Sequence, residues 1–237
     1  MSLLPQKKES LNRVILPLDG RADGEPAESV FVTDSQNNIS LIGELFRKLI
    51  HLGSISIPIS YFFLSKNIIL PFLAAGLLLS LAVDYIRIYG QDKARKFIYR
   101  YLGIMLRPHE RKNFVGATYI LTGSILTILF FDKPIAIAAI SYIVLGDTAG
   151  SVIGRLWGIV RFRNKSLEGS IGFFMACSVA AVIIPGVPFW VKIAGALAAT
   201  VVEAITLHID DNLIVPITSG AIMQLIVSQM FIINYFS

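Results

Sequence analysis

Seven apolar stretches, each about as long as a membrane-crossing helix, dominate this chain of 237 residues. A helix needs about 20 mostly apolar residues to cross the hydrocarbon core of a bilayer. Hydrophobic residues make up 54% and charged residues only 16% of the chain, whereas about a quarter of a soluble domain is charged. We therefore predict an all-α, polytopic membrane protein whose spans are about 46–65, 67–89, 114–132, 134–154, 169–187, 189–208 and 214–235.

The N-terminal segment differs from the rest of the chain. Residues 1–42 are polar and cluster glycine, proline and aspartate in LDGRADGEPAES. They lack the basic-then-apolar pattern and the cleavage site of a secretory signal. We interpret them as a weakly ordered cytoplasmic tail in front of a membrane-embedded domain at 43–237.

Basic residues are distributed unevenly between the two sides of the predicted spans. The tail and the connections after the second and fourth spans hold 18 of the 21 lysines and arginines, leaving Lys66, Lys133 and Lys192 for the other side. Because basic loops are retained in the cytoplasm, the N-terminus and the loops at 90–113, 155–168 and 208–213 are predicted to be cytoplasmic. Seven spans then put the C-terminus outside.

The second span continues into YIRIYGQDKARKFIYRYLGIML, in which bases alternate with aromatic and aliphatic residues at helical spacing. This pattern is typical of an amphipathic helix lying on a membrane surface. Disulfide and zinc chemistry are not expected, because the chain has one cysteine, Cys177, and only three histidines.

The stretch GDTAGSVIGRLWGIVRFRNKSLEGSIG, residues 146–172, carries the most chemistry. Asp147 lies within an apolar span, where a carboxylate is costly and usually functional, and it suits Mg²⁺ bridging phosphate oxygens. The alternative to a metal role is that Asp147 is a buried acid paired with Arg155 for packing. Gly150, Gly154 and Gly158 let a ligand come close, but such spacing is also common where helices pack.

The turn from Lys165 to Ser170 is predicted to begin a helix. Ser166 is a plausible N-cap, with Glu168 assisting early in the turn. Capping alone would explain the serine, but a lysine in front of a helix N-terminus also suits a bound phosphate.

Two further groups of polar residues lie on the predicted cytoplasmic side. Glu203, Asp210, Asp211 and Asn212 surround the short connection between the last two spans, as a possible oxygen-ligand cluster or as a solvated loop. The second group has helical spacing and consists of Glu44, Arg47, Lys48 and His51. It could contribute to the site, or it could simply be the charged start of a helix. Asp84 and Arg87 are interpreted as an ion pair.

The motifs resemble those of the membrane CTP-dependent lipid kinases, the group of dolichol kinase, phytol kinase and CTP-dependent diacylglycerol kinase. GDTAGSVIGRLWG followed by NKSLEGSIG carries the resemblance, and it extends over about residues 43–235. Further matches are ELFRKLIHLGS (44–54), LRPHERKNFVGATYILTG (106–123) and EAITLHIDDNLIVP (203–216). Phosphatidate cytidylyltransferases are more distantly similar, because they have a His-Gly-Gly-x-x-Asp-Arg-x-Asp signature where this chain reads HIDDNLIVP.

The resemblance implies transfer of the γ-phosphate of CTP to a membrane lipid alcohol: a polyprenol or dolichol, a phytol-like isoprenoid alcohol, or diacylglycerol. It implies Mg²⁺ or another divalent cation as cofactor, with Asp147 and Asp211 as metal ligands, and no nucleic-acid partner. The resemblance carries over Asp147, Arg155, Lys165, Ser166, Glu168, Gly169, Asp211 and Asn212 as the nucleotide and metal site. Together with the residue patterns above, it leads us to predict as catalytic residues Asp147, Lys165, Glu168, Asp210 and Asp211. The predicted nucleotide-binding residues are Gly150, Gly154, Arg155, Gly158, Lys165, Ser166, Gly169, Ser170 and Asn212. The group that accepts the alcohol proton stays open among Asp210, Glu203 and His51.

Two other functions compete with this interpretation. A cytidylyltransferase would use the same CTP site on a phosphate-bearing lipid. An ion-coupled transporter would use the intramembrane acids differently, although the chain lacks the internal repeat that transporters of this size often have.

Overall fold

A computed structural model describes residues 48–102, 113–162, 165–205 and 209–236. Residues 48–53 are helical, and a turn at 54–55 leads into the elements that follow. These elements are α1 (Ser56–Phe63), α2 (Lys66–Tyr89), α3 (Asp92–Leu102), α4 (Gly116–Phe130), α5 (Lys133–Trp157), β1 (Arg161–Phe162), β2 (Lys165–Ser166), α6 (Leu167–Ile183), α7 (Phe189–Ala204) and α8 (Asp211–Phe236).

The described residues are mostly helical, as the sequence predicts. By length and composition, α2, α5 and the Asp211–Ile232 part of α8 can each cross a membrane, and α4 and α6 are shorter apolar helices. Large apolar side chains cover the outer surface: Phe63, Phe72 and Phe130 are each more than 70% exposed. Such a surface suits lipid rather than water.

The first predicted span, 46–65, is wrong as a continuous helix. The chain leaves the helix after Gly53, turns at Ser54 and Ile55, and starts again with α1. Pro58 lies in the first turn of α1, where its missing N–H removes the bond that would continue a helix across the turn.

Helix α5 forms the centre of the bundle. Its first half is almost completely buried, from Ile135 to Val144, and it packs against α1, α4, α6, α7 and α8. The Tyr142 hydroxyl donates a hydrogen bond to the Lys192 carbonyl at 2.9 Å, which ties α5 to α7. The arrangement explains why this helix has no polar face in its first half.

The bundle has two different ends. At the polar end, α2, α5 and α7 finish and α4, α6 and α8 begin. At the opposite end, the three lysines that lie outside the predicted cytoplasmic segments each donate a hydrogen bond to a carbonyl where a neighbouring helix finishes. The pairs are Lys66 with Leu129, Lys133 with Leu64, and Lys192 with Ile184. Cations at helix C-termini satisfy free carbonyls and complement the helix dipole.

Candidate functional site

Four helix termini meet at the polar end: the finish of α5, the start of α6, the finish of α7 and the start of α8. Lys165 directly precedes α6 within β2, Glu203 lies in the last turn of α7, and Asp211 is the first residue of α8. The termini therefore bring together three charged residues that are far apart in the chain.

The Lys165 ammonium lies between two carboxylates. Its Nζ is 2.6 Å from Glu203 Oε1 and 2.8 Å from Asp211 Oδ2. Burial lowers the pKa of Lys165, but the charges and hydrogen bonds of Glu203 and Asp211 outweigh burial and raise the pKa above its ordinary value. The ammonium is therefore charged at neutral pH, and it faces two carboxyl groups.

A short β-hairpin positions Lys165. Strands β1 and β2 pair antiparallel, with Arg161 opposite Ser166 and Phe162 opposite Lys165. The Leu167 amide donates to the Val160 carbonyl at 2.9 Å, which extends the pairing to the first residue of α6. The hairpin therefore fixes the backbone of Lys165 on the side of the bundle where α7 finishes.

The prediction that Ser166 is an N-cap is confirmed. Its hydroxyl accepts a hydrogen bond from the Gly169 amide at 3.1 Å. Glu168 assists from the first turn, because its Oε1 accepts the Val160 amide at 3.1 Å. The carboxylate thus binds the hairpin to α6, instead of returning to the amide of the capping residue.

The glycines of α5 lie against α6. A Cβ on Gly150 would lie 3.0 Å from the Gly169 carbonyl oxygen, and one on Gly154 would lie 2.9 Å from Ser166 Oγ. Gly158 faces the same serine hydroxyl, at 2.8 Å. These positions let α5 and α6 approach closely at the polar end. Helix packing accounts for the spacing, and contact of these glycines with a nucleotide stays a prediction.

Asp147 lies about two turns before Gly154 in α5, and its neighbour is His51 from the helical segment at 48–53. The distance from His51 Nε2 to Asp147 Oδ2 is 3.6 Å, which is ion-pair range but longer than a hydrogen bond. The Asp147 side chain is 38% exposed, and its charge acts on Glu203. Asp147 therefore belongs to the same electrostatic neighbourhood as the contacts of Lys165.

The two adjacent aspartates of the last connection have different surroundings. Asp210 is the N-cap of α8, since its Oδ1 accepts the Asn212 amide at 2.9 Å. Asp211 faces Lys165. Asn212 lies where α8 packs on α4, because a Cβ on Gly123 would be 2.5 Å from the Asn212 carbonyl oxygen.

Several buried polar atoms at this end have no hydrogen-bond partner among the described residues: His51 Nε2, Glu168 Oε2, Ser170 Oγ and Glu203 Oε2. Buried polar groups are nearly always paired, because an unpaired one costs about 1–3 kcal/mol. These four atoms are therefore candidates for contact with a polar ligand.

The donor set fits one divalent cation better than a structural metal. Within the described part of the chain, no group of three or more histidine, cysteine, aspartate or glutamate residues could hold a metal ion. Mg²⁺ is commonly held by one or two carboxylates together with substrate phosphates and water. Glu203 and Asp211, with the unpaired Glu203 Oε2, match that requirement.

A second polar cluster ties α2 to α4 at the same end. Asp84 and Arg87 are almost fully buried, and Arg87 Nη2 lies 2.7 Å from Asp84 Oδ1. Asp84 Oδ2 accepts the Thr118 hydroxyl at 2.7 Å and the Val115 amide at 3.1 Å, and Arg87 donates to the Asn113 carbonyl. The predicted ion pair is confirmed, and it also fixes the start of α4.

A cavity of about 500 Å³ lies away from these groups. It is lined by Lys133 and Pro134 at the start of α5, by 186–188 between α6 and α7, and by Phe231 in α8. Because α5 is 25 residues long, this cavity and the Lys165 contacts are separated by about the thickness of a bilayer core.

Of the other predicted site residues, Arg155 is exposed in the last turn of α5, and Ser170 and Gly169 are buried in the first turn of α6. The tail, Glu44, Arg47, Arg163 and His208 lie outside the described residues. Sequence reasoning undervalued Glu203. The signal that could have identified it is a carboxylate one turn from the end of an apolar span.

Fold and site together define a helical, membrane-type protein whose polar end offers a capped helix N-terminus, a lysine and three carboxylates. CTP-dependent diacylglycerol kinase 1 of Eremothecium gossypii is 28% identical over 192 residues, which cover 69% of this chain and 60% of that protein. The proteins of the same name from Schizosaccharomyces pombe and Saccharomyces cerevisiae are 25% and 26% identical, over 67% and 78% of this chain and 81% and 73% of their own. An uncharacterised protein of Rickettsia prowazekii is 26% identical over 73% of this chain and 89% of its own length.

No protein-family model and no solved structure matches the chain. The three kinase similarities confirm the resemblance to the CTP-dependent lipid kinases found in the motifs.

Proposed function

We propose that this chain transfers the γ-phosphate of CTP to a membrane lipid alcohol and releases CDP and the lipid monophosphate. The observation that carries the proposal is the contact of Lys165 with Glu203 and Asp211 beside the capped start of α6. Phosphoryl transfer requires mainly positioning and charge neutralisation from the protein. A lysine, a helix N-terminus and spare carboxylate oxygens supply both.

Diacylglycerol is the first acceptor to consider, because three relatives carry the name of a CTP-dependent diacylglycerol kinase. Dolichol or another polyprenol and a phytol-like alcohol are the other acceptors that the motif resemblance implies. All of them present a primary hydroxyl at the membrane surface, where the polar end of the bundle would receive it.

The residues divide into three roles. Lys165 and Arg155 would neutralise the nucleotide phosphates, and the turn from Ser166 to Ser170 would offer backbone N–H groups. The motif resemblance assigns the divalent cation to Asp147 and Asp211, and a bound cation would lower the charge repulsion between phosphate and hydroxyl oxygens. Glycines 150, 154, 158 and 169, together with Asn212, would line the nucleotide.

The proposed topology has seven membrane crossings, a cytoplasmic N-terminus with residues 1–42 as its tail, and the polar end in the cytoplasm. The positive-inside distribution of basic residues supports it. Three lysines lie at the opposite end: Lys66, Lys133 and Lys192. They also support this topology, because each ammonium is bound to a carbonyl at a helix C-terminus. This orientation puts the site where nucleotide is available.

The test is an assay of purified protein in mixed micelles with CTP labelled in the γ-phosphate. Diacylglycerol, a polyprenol and phytol would be supplied separately. Labelled lipid phosphate from one of them is the expected result, and it should require a divalent cation. Nucleotide that stays intact with every acceptor, while the protein remains folded, would contradict the proposal and favour a transporter.

A further inference from the structure

We propose that Glu203 and Asp211 are the carboxylate pair that binds the divalent cation, and that Lys165 occupies this cation position until the nucleotide complex arrives. The inference rests on the proposed function, since it assigns a cation site to that reaction. It changes the metal pair expected from the motifs, because Glu203 takes the place given to Asp147.

The first argument is geometric. Glu203 Oε1 and Asp211 Oδ2 lie 2.6 and 2.8 Å from one point, the Lys165 nitrogen. Oxygens bound to Mg²⁺ lie at about 2.0–2.1 Å, so a small inward movement of the two side chains would satisfy a cation at the same point. The His51–Asp147 distance of 3.6 Å gives Asp147 a different neighbour.

The second argument concerns unsatisfied charge. Glu203 is only 8% exposed, and its Oε2 has no hydrogen-bond partner among the described residues. The single ammonium of Lys165 is shared by two carboxylates, and Asp147 is a third carboxylate whose charge acts on Glu203. A buried carboxylate that is only partly compensated is costly. A divalent cation would supply the missing charge and a ligand for the free oxygen.

The third argument is the position of Lys165 in the chain. It is held by a hairpin of four described residues and immediately precedes the capped start of α6. A lysine side chain has four flexible carbon links, so its ammonium can leave the carboxylates and turn towards phosphates at the helix N-terminus without backbone movement. Cation binding and phosphate contact by Lys165 would therefore occur together.

The test measures Mn²⁺ binding to the full-length protein by electron paramagnetic resonance, without nucleotide. Lys165→Met should raise the Mn²⁺ affinity about tenfold, because the competing ammonium is gone. Glu203→Gln and Asp211→Asn should each weaken binding by a similar factor, and Asp147→Asn should change it least. Lys165→Arg, which keeps the charge, is the matched control and should leave the Mn²⁺ affinity as low as that of the wild type.

A second readout follows Lys165 itself. Its reaction with an amine-directed reagent, quantified by peptide mass spectrometry, should increase when Mn²⁺ is added to wild type. It should not increase in Glu203→Gln. Unchanged Lys165 labelling, together with Mn²⁺ affinity that depends on Asp147 and not on Glu203, would overturn the inference.

The two proposals fail separately. If lipid phosphorylation occurs and the Mn²⁺ affinity does not change on substitution of Glu203 or Lys165, only the cation assignment is wrong. If Mn²⁺ binding follows the expected order but no lipid alcohol is phosphorylated, the cation pair stands and the proposed reaction is wrong.

Discussion

The Lys165 ammonium lies 2.8 Å from the Asp211 carboxylate, although 46 residues separate the two positions. Two apolar helices, α6 and α7, run down and back between them, so that the start of α8 returns to the start of α6. The contact can form only if these helices pair antiparallel. It therefore reports on the fold and on the site together.

Removing either partner of this contact should abolish turnover. In the proposed roles, Lys165→Ala would remove a phosphate contact and Asp211→Asn would remove the charge of a metal ligand, so each should lower the rate of lipid phosphorylation by about 10²–10³. Asp132→Asn, an exposed acid at the opposite end, is the matched control and should retain activity. Near-normal rates in Asp211→Asn would reduce the contact to a structural ion pair.

Gly154→Ala should destabilise the protein, because the new methyl group would lie 2.9 Å from Ser166 Oγ between two packed helices. We expect a loss of about 1–3 kcal/mol from overpacking, measured by unfolding in mixed micelles. Gly76→Ala is the control, since its methyl group would meet only Leu121 side-chain carbons at 3.8 Å. Full stability of Gly154→Ala with lost nucleotide binding would favour ligand approach as the reason for this glycine.

The buried pair at the end of α2 should behave as a unit. Asp84→Asn and Arg87→Met should each cost about 3–5 kcal/mol of unfolding free energy, because each removes one charge of a buried ion pair. The double variant should cost clearly less than the two losses added together. Strictly additive losses would show that the two side chains act independently.

The helices could be predicted well because a bilayer constrains them by length and polarity. The predicted spans 67–89 and 134–154 correspond to α2 and α5 within a few residues. The break in the first span could not be predicted, because the turn at Ser54 and Ile55 lies inside an apolar run whose overall hydropathy is typical of one continuous helix.

The site could be predicted in composition but not in pairing. The sequence identifies Asp211 as a candidate together with Asp210, and it cannot decide which of two neighbours faces inward. That choice depends on how α8 packs on Gly123 of α4. The approach of His51 to Asp147 is likewise a tertiary contact, without a local pattern that would reveal it.

The lysines at the opposite end should contribute to stability. Lys133→Met removes a hydrogen bond from a charged donor to the Leu64 carbonyl, which typically contributes about 1.5–3 kcal/mol. Lys93→Met, on the exposed face of α3, is the control and should change the unfolding free energy little. Equal effects of the two substitutions would argue against a capping role for Lys133.

Labelling of single cysteines tests the orientation. The natural Cys177 is buried and can be replaced by alanine. Cysteines introduced at Lys93 and at Asp132 should then react with an impermeant reagent from opposite faces of sealed vesicles, Lys93→Cys from the cytoplasmic face. Reaction of both from one face would contradict the seven-span topology.

The most direct test compares CTP labelled in the γ-phosphate with CTP labelled in the α-phosphate, using diacylglycerol as acceptor. The account predicts that the lipid product acquires the γ-label and excludes the α-label, and that CDP accumulates in equal amount. Lipid that carries the α-label, with release of pyrophosphate, would contradict phosphoryl transfer and identify a cytidylyltransferase.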